Sequence, residues 1–383
     1  MRNESNFSND LLNGYHKCTF TNEILIRYVG TFIFFIGLLS TLLSICVFTR
    51  KPLRRKSCCF YFLILAISDS IHLTTMTIEY LPYSFQIDLI IIHSIICKSI
   101  IFLIYFSNHL SNAVLTLASI DRFVLIYYPS RSKRYCNIRK AKWLVLIVSI
   151  IIVICNGHIF YGYEKISIDV DETVQVYDCN IRDDNIFYAN IFFFYDSYIE
   201  SICFVLIPFI VMSICSILII YQILESRQAV RFNSRLKKSR LRDKDIQLCC
   251  MLIGTSFTFL LLCLPAELND IFNYIAHERS CLHWSRKIIL MLMQQIHYAG
   301  HFYIYTLTGQ IFRKHLYAFI FTRCRSNNIK KNIYSTEITE QRTIINTENI
   351  NRLKTKFIPT SESMFGEDSS QKSYSDLRQL TQL

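Results

Sequence analysis

Glycine and proline are scarce in this chain, nine and six among 383 residues, so few positions interrupt a long segment. Charge is scarce too, at 18% of residues against 52% hydrophobic. A soluble protein of this length alternates apolar and polar residues along its elements. Here the apolar residues come in long, nearly uncharged blocks, which argues against a soluble domain and for transmembrane helices. Cysteine is plentiful, with 15 copies, but no pair of CxxC units occurs, so zinc is not supported. Cys46, Cys155, Cys203, Cys215 and Cys263 fall inside apolar blocks and read as small hydrophobes. Residues 1–23 lack the apolar core of a cleavable signal peptide. No nucleophile–base set, phosphate loop or metal cluster is visible, so neither an enzyme nor a bound cofactor or metal is expected.

What is present is a set of seven apolar spans, at about 27–49, 58–81, 94–127, 141–161, 197–224, 246–272 and 287–310. An all-α membrane protein, a seven-helix bundle, is expected over 27–323, between a polar N-terminus (1–26) and a polar tail (324–383). The formal charge of +12 could suggest nucleic acid, but the basic residues cluster in short loops between spans. Arg50, Lys51, Arg54, Arg55 and Lys56 fill the first loop; Arg131, Lys133, Arg134, Arg139, Lys140 and Lys142 the third; Arg227 to Lys244 the fifth. The fourth is acidic, from Glu164 to Asp184. By the positive-inside rule the odd loops are cytoplasmic, the N-terminus is extracellular, and no nucleic-acid partner is expected. Asn3 and Asn6 then fit glycosylation acceptors. Residues 310–323 are amphipathic and are expected to lie along the lipid surface as a short eighth helix. Cys324 is a candidate palmitoylation site, and the Ser- and Thr-rich tail beyond it reads as disordered.

Asp121-Arg122 ends the third apolar run, where ionised side chains are costly and are kept for function or at a water boundary. Cys97 lies 25 residues earlier. At about 1.5 Å per residue the two sites are roughly 37 Å apart, which exceeds the ~30 Å hydrocarbon core, so one sits at each membrane face.

In order and at matching spacing, several motifs resemble the rhodopsin-like (class A) G-protein-coupled receptors. They are Leu65-Ala66-Ile67-Ser68-Asp69 in the second span, Asp121-Arg122-Phe123 ending the third, Pro208 in the fifth, Phe259 and Cys263-Leu264-Pro265 in the sixth, His301-Phe302-Tyr303-Ile304-Tyr305 in the seventh, and Phe312-Arg313 after it. The chain departs from that pattern at Thr41, where the family usually has Asn, at Cys263, where it has Trp, and at His301-Phe302, where it has Asn-Pro; the fourth span lacks a central Trp. The stretch 303–313 and Arg242-Asp243-Lys244-Asp245 look similar to invertebrate FMRFamide-like neuropeptide receptors.

The resemblance implies a plasma-membrane receptor that couples an extracellular peptide to a heterotrimeric G protein. It implies a Cys97–Cys179 disulfide in an oxidising compartment; Cys18 and Cys281 are the remaining extracellular pair, bridged or free. It implies that Asp121, Arg122, Phe123 and Tyr305 form the switch. Asp245 either closes on Arg122 across the bundle or is a solvated loop charge. It places Asp69 in a polar core with Ser111, His297 and His301. Imidazole is a poor sodium ligand. Either His is neutral in a hydrogen-bond network or, protonated, neutralises Asp69 and makes signalling depend on pH near neutral. Ile104 stands where amine receptors carry Asp, which argues against an amine ligand. Glu79, Glu200, Glu267 and Asp270 cluster near the outer ends with few basic partners expected at that depth. They either attract a cationic ligand such as an arginine-bearing peptide or sit hydrated at the rim. Tail residues including Ser361, Ser363, Ser369 and Ser373 are candidate phosphorylation sites for arrestin. Membrane lipid is the surrounding partner. The rival readings are a chemosensory receptor for a small molecule and a seven-span transporter; the inverted repeats and broken helices of the latter are not visible.

Overall fold

A computed structural model describes residues 22–85, 89, 92–171, 174–182, 186–232, 243–276 and 281–322. The chain divides into two units, Met1–Phe319 and Ile320–Leu383, and of the second only 320–322 are described. The first unit is built on seven long helices. α1 (Thr31–Phe48) continues a wide helical turn at Leu25–Gly30; α2 spans Ser57–Phe85, α3 Ser94–Tyr127 and α4 Ile138–Asn156. α5 (Ile207–Phe232) follows a helical run over Ile186–Phe194 and Tyr195–Leu206. α6 runs Asp243–Leu262 and resumes over Leu264–Ala276; α7 is Cys281–Thr308 and α8 Gln310–Thr322. Six of the long helices are apolar and long enough to cross a membrane. The seventh, α7, falls below that mark because His283, Arg286, Lys287, Gln294, Gln295, His297 and His301 lie on it.

One element departs from the all-helical expectation. The acidic fourth loop forms an antiparallel hairpin, β1 (Tyr163–Asp171) and β2 (Val174–Ile181), with Tyr163 opposite Ile181 and Lys165 opposite Cys179. Alternating residues such as Ile166, Ile168, Val174 and Val176 suit a pleated strand.

Proline explains two irregularities. Pro208 has no N–H to give the carbonyl four residues back, Phe204, and the preceding turn is wide; Asn112 Nδ2 of α3 donates to that carbonyl instead, at 3.3 Å. Pro265 interrupts α6 after Cys263, whose carbonyl accepts from Ala266 N at 3.0 Å and Glu267 N at 3.4 Å.

In lipid, association rests on close packing and interhelical hydrogen bonds, because exposed and buried faces are both apolar. Phe32, Phe35, Leu39, Ile154 and Ile217 face outward. Inside, Phe48, Phe62, Leu115, Phe259, Tyr305 and Phe312 belong to one buried cluster. Helices α1, α2 and α7 meet where a Cβ on Gly37 would lie 2.8 Å from Leu73 Cδ1 and 2.9 Å from Ala299 Cβ. Beside it Ser40 Oγ donates to Ala299 O at 2.9 Å, and Ser68 Oγ donates to Ser107 O at 2.8 Å between α2 and α3. Gly309 makes the α7–α8 corner, where a Cβ would lie 2.8 Å from Tyr305 O and 2.9 Å from Met251 Sδ. Arg313 Nη1 then donates to Thr306 O and Leu307 O, both at 2.7 Å, and so caps the end of α7.

Candidate functional site: a cavity, a polar core and a buried ion pair

Three layers of polar residues run along the bundle. The outermost surrounds a cavity of about 340 Å³. Glu79 of α2, Ile104 of α3, Glu200 before α5 and Glu267 of α6 all line it, so four of the five expected ligand residues share one space. The side chain of the fifth, Asp270, lies outside those described. Asn180 and Ile181 of β2 line it as well, and the Cys97–Cys179 disulfide ties that strand to the start of α3, with Cα atoms 5.7 Å apart. The hairpin is therefore anchored over α3, as the expected bridge required.

The electrostatics of this layer correct one expectation. Glu200 is not an unpaired carboxylate: His109 Nε2 lies 3.0 Å from its Oε1, both side chains being buried. Asn156 Nδ2 donates to Ile152 O at 2.9 Å and lies 3.0 Å from His109 Nδ1. The Ile152 carbonyl only accepts, so it fixes which end of the Asn156 amide is nitrogen. The amide's second hydrogen then points at Nδ1, which must accept, and the ring's proton resides on Nε2 and is donated to Glu200. A relay thus links α4, α3 and the segment before α5. The His109 ring stacks on Phe204, with centroids 4.0 Å apart and planes 12° apart. Lys287 also lines the cavity, and Gln294 Nε2 donates to Glu267 at 3.4 Å, so nitrogen partners at this depth are more numerous than the acidic residues alone suggested. Sequence reasoning missed His109 and Asn156. The available signal was a polar residue deep in each of two apolar runs, which in a membrane span marks a functional candidate with a partner to be found.

The middle layer centres on Asp69, which is fully buried. Ser111 Oγ donates to its Oδ1 at 2.8 Å, and His301 Nδ1 lies 2.7 Å from Oδ2. His297 does not reach it. Its ring meets His301 edge-on at 4.4 Å and Phe259 at 5.6 Å, and no hydrogen bond joins it to Asp69. The expected four-membered core is therefore three residues with His297 packed beside them. Just outward, Tyr298 OH donates to Asn108 Oδ1 at 2.6 Å, and the Tyr298 ring lies 4.2 Å from that of His72. This second polar pair was not expected from the sequence.

The innermost layer is the Asp121–Arg122 pair. Arg122 donates to Asp121 Oδ2 through Nη2 at 2.7 Å and Nε at 3.2 Å, and Ser57 Oγ donates to the same oxygen at 3.0 Å. Both charged side chains are buried. Phe123 packs on Tyr127 at 4.7 Å beside Ile219, Ile223 and Cys249, where α3, α5 and α6 meet. Tyr305 is wholly buried among Phe48, Phe62 and Phe312, at 5.5, 4.9 and 5.7 Å. The side chain of Asp245, expected opposite Arg122, lies outside those described, as do Cys281's side chain, Asn3, Asn6, Cys18, Cys324 and the tail. In the loop beyond α3, Cys136 Sγ donates to the Asp121 carbonyl at 3.3 Å. Burial, with the Asp121 charge adding to it, pushes that thiol up to about 12.

The rhodopsin-family seven-transmembrane receptor model matches residues 40–298, more than half of the chain. This protein belongs to that family, whose members are receptors rather than enzymes. Among curated proteins, the proteinase-activated receptor 1 of Xenopus laevis is 26% identical over 232 residues, covering 58% of this chain and 51% of the relative. The chain thus spans about half the length of the proteinase-activated receptors it matches. The G-protein coupled receptor homolog K2 of Swinepox virus is 24% identical, covering 86% of this chain and 87% of the relative. The neuromedin U receptor homolog nmur-2 of Caenorhabditis elegans is 22% identical, covering 82% and 85%.

Proposed function

We propose that this chain is a plasma-membrane receptor with its N-terminus outside, that it takes a cationic peptide into the outer cavity, and that it then activates a heterotrimeric G protein through the face around Arg122. One observation carries the ligand class: Glu79, Glu200 and Glu267 line a single cavity that also holds Ile104, with Lys287 the residue of opposite fixed charge among its described lining. Carboxylates on low-dielectric walls focus a negative potential and favour a cation. An arginine side chain adds bidentate pairing. A relative named as a neuromedin U receptor homolog supports a peptide as the ligand, and the FMRFamide-like look of 303–313 points the same way. Arg122 held by Asp121, whose carboxylate also accepts from Ser57, supports a resting packing that a rigid-body shift of α6 would release. Arrestin recruitment by the phosphorylated tail completes the proposed cycle.

The test is agonist-stimulated nucleotide exchange on G proteins in membranes carrying the full chain, screened against amidated peptides with and without arginine. Glu267→Gln and Glu79→Gln should each right-shift the response to an arginine-bearing agonist by about tenfold or more, the value of one charge-assisted hydrogen bond. Unchanged responses in both variants would remove the cationic-ligand reading, and peptide flux into vesicles without nucleotide exchange would replace the receptor with a transporter.

A further inference from the structure

A second cavity lies away from the outer one. It is a groove of about 570 Å³ at the opposite end of the bundle, between α3, the short helix Pro129–Tyr135 and α4. That volume falls within the roughly 300–1,000 Å³ of small-molecule sites. Leu117, Val124, Leu144 and Ile147 form its walls, so its length is apolar. Arg131 and Lys140 stand exposed at one end. Each rests on an aromatic ring, Arg131 Cζ 5.9 Å from the Tyr128 centroid and Lys140 Nζ 4.6 Å from that of Tyr135. Cation–π contacts hold the charges in place without neutralising them. Among the described residues no carboxylate pairs with either cation. Asp121, the carboxylate in the lining, is already bonded to Arg122 and Ser57. Trp143, 65% exposed, and Tyr135, 52% exposed, also line it, and exposed amphipathic rings of this kind mark the membrane interface.

We propose that this groove binds an anionic phospholipid, with the headgroup phosphate between Arg131 and Lys140 and an acyl chain along the Leu117–Leu144–Ile147 wall. An apolar trough with two uncompensated cations at one end calls for an amphiphile with a negative head. A free phosphate would leave the trough unused, and a zwitterionic headgroup would bring an ammonium toward the two cations. Anionic lipids are concentrated in the cytoplasmic leaflet. That leaflet faces this end in the orientation proposed above, and the inference rests on that orientation alone, not on the peptide or the G protein.

The chain carries two tryptophans, Trp143 and Trp284, so Trp284→Phe leaves a single fluorophore at the groove. The full chain in that background, in detergent micelles, is titrated with brominated phosphatidylglycerol or brominated phosphatidylcholine, and Trp143 quenching is read. Phosphatidylglycerol should reach half-quenching at a mole fraction roughly tenfold to thirtyfold lower, at about fivefold per cation. Arg131→Ala/Lys140→Ala should bring that ratio near one, while Arg131→Lys/Lys140→Arg should keep it and show that the fold survives. Equal quenching by the two lipids in the parent, or a preference that persists in the alanine pair, would overturn the proposal. Loss of the preference in millimolar inorganic phosphate would overturn it in favour of a free-phosphate site.

Discussion

Replacing His109 with phenylalanine tests the outer relay without needing the ligand. Phenylalanine keeps a ring to stack on Phe204, so the packing at 4.0 Å is largely preserved, while both nitrogens are lost. Glu200, buried to 7% exposure, then loses the His109 N–H. A hydrogen bond to a charged group contributes about 1.5–3 kcal/mol, and the second Asn156 hydrogen, left facing a phenyl edge, adds about 1 kcal/mol. Glu200→Gln is milder, because its amide oxygen still accepts from Nε2 and the cost should stay below about 1.5 kcal/mol. The two sites touch, so their effects should not add: once Glu200 is neutral, removing His109 costs less, with a coupling of about 1–2 kcal/mol. At about 2–4 °C per kcal/mol, His109→Phe should lower the ligand-free unfolding midpoint in detergent by roughly 5–12 °C, Glu200→Gln by less than half of that, and the double variant by clearly less than the sum. Equal midpoints for the two single variants, or strict additivity, would refute the relay and make Glu200 a hydrated rim carboxylate.

At the inner end, Asp121→Asn and Ser57→Ala each remove a restraint from the Asp121–Arg122 pair. Ligand-independent nucleotide exchange should rise, by up to about tenfold for Asp121→Asn and less for Ser57→Ala; no rise in either would show that the pair does not hold the resting state. In the core, His301 touches Asp69 and His297 does not. Any dependence of signalling on pH near neutral should therefore flatten in His301→Asn and persist in His297→Asn, and parent-like pH–response curves in both would dismiss the proton reading. At the loop, the Cys136 thiol is pushed up to about 12, against about 8.5 in an unfolded chain. A raised thiol contributes stability that is fully present below the unfolded value and is lost as pH rises toward the folded one. Native Cys136 should thus resist alkylation at pH 8 while the unfolded chain reacts, as read by peptide mass spectrometry; equal rates would refute its burial.

Much of the fold was legible because the membrane imposes a one-dimensional rule. Seven apolar runs, a charged cluster in each odd loop, and a Cys97–Arg122 separation longer than the hydrocarbon core are all readable along the chain. The hairpin was not: its strands pair only with each other, and the acidic residues that mark the loop say nothing about pairing register. The span beginning near 197 was read too short, because Ile186–Phe194 continues it across Asp196 and Tyr198. Glu79, Glu200 and Glu267, which line the outer cavity, were singled out by their depth, but the partner of Glu200 was not, since His109 lies 91 residues away and nothing in the local sequence joins them.

By itself, then, the sequence determined the class: a helical bundle in lipid with the Asp121-Arg122 pair at one end. Those depend on composition and linear spacing, which hydration and helical rise convert directly into position along the membrane normal. What only the tertiary structure decided is which polar residues meet within a layer. Rotation of each helix about its axis sets that choice, and the rotation comes from packing: Gly37 against Leu73 and Ala299, Gly309 against Tyr305, and Asn112 answering the carbonyl that Pro208 leaves open. The same packing brought His301 rather than His297 to Asp69, placed His109 on Glu200, and opened a groove beside Arg131 and Lys140 that no stretch of the chain announces.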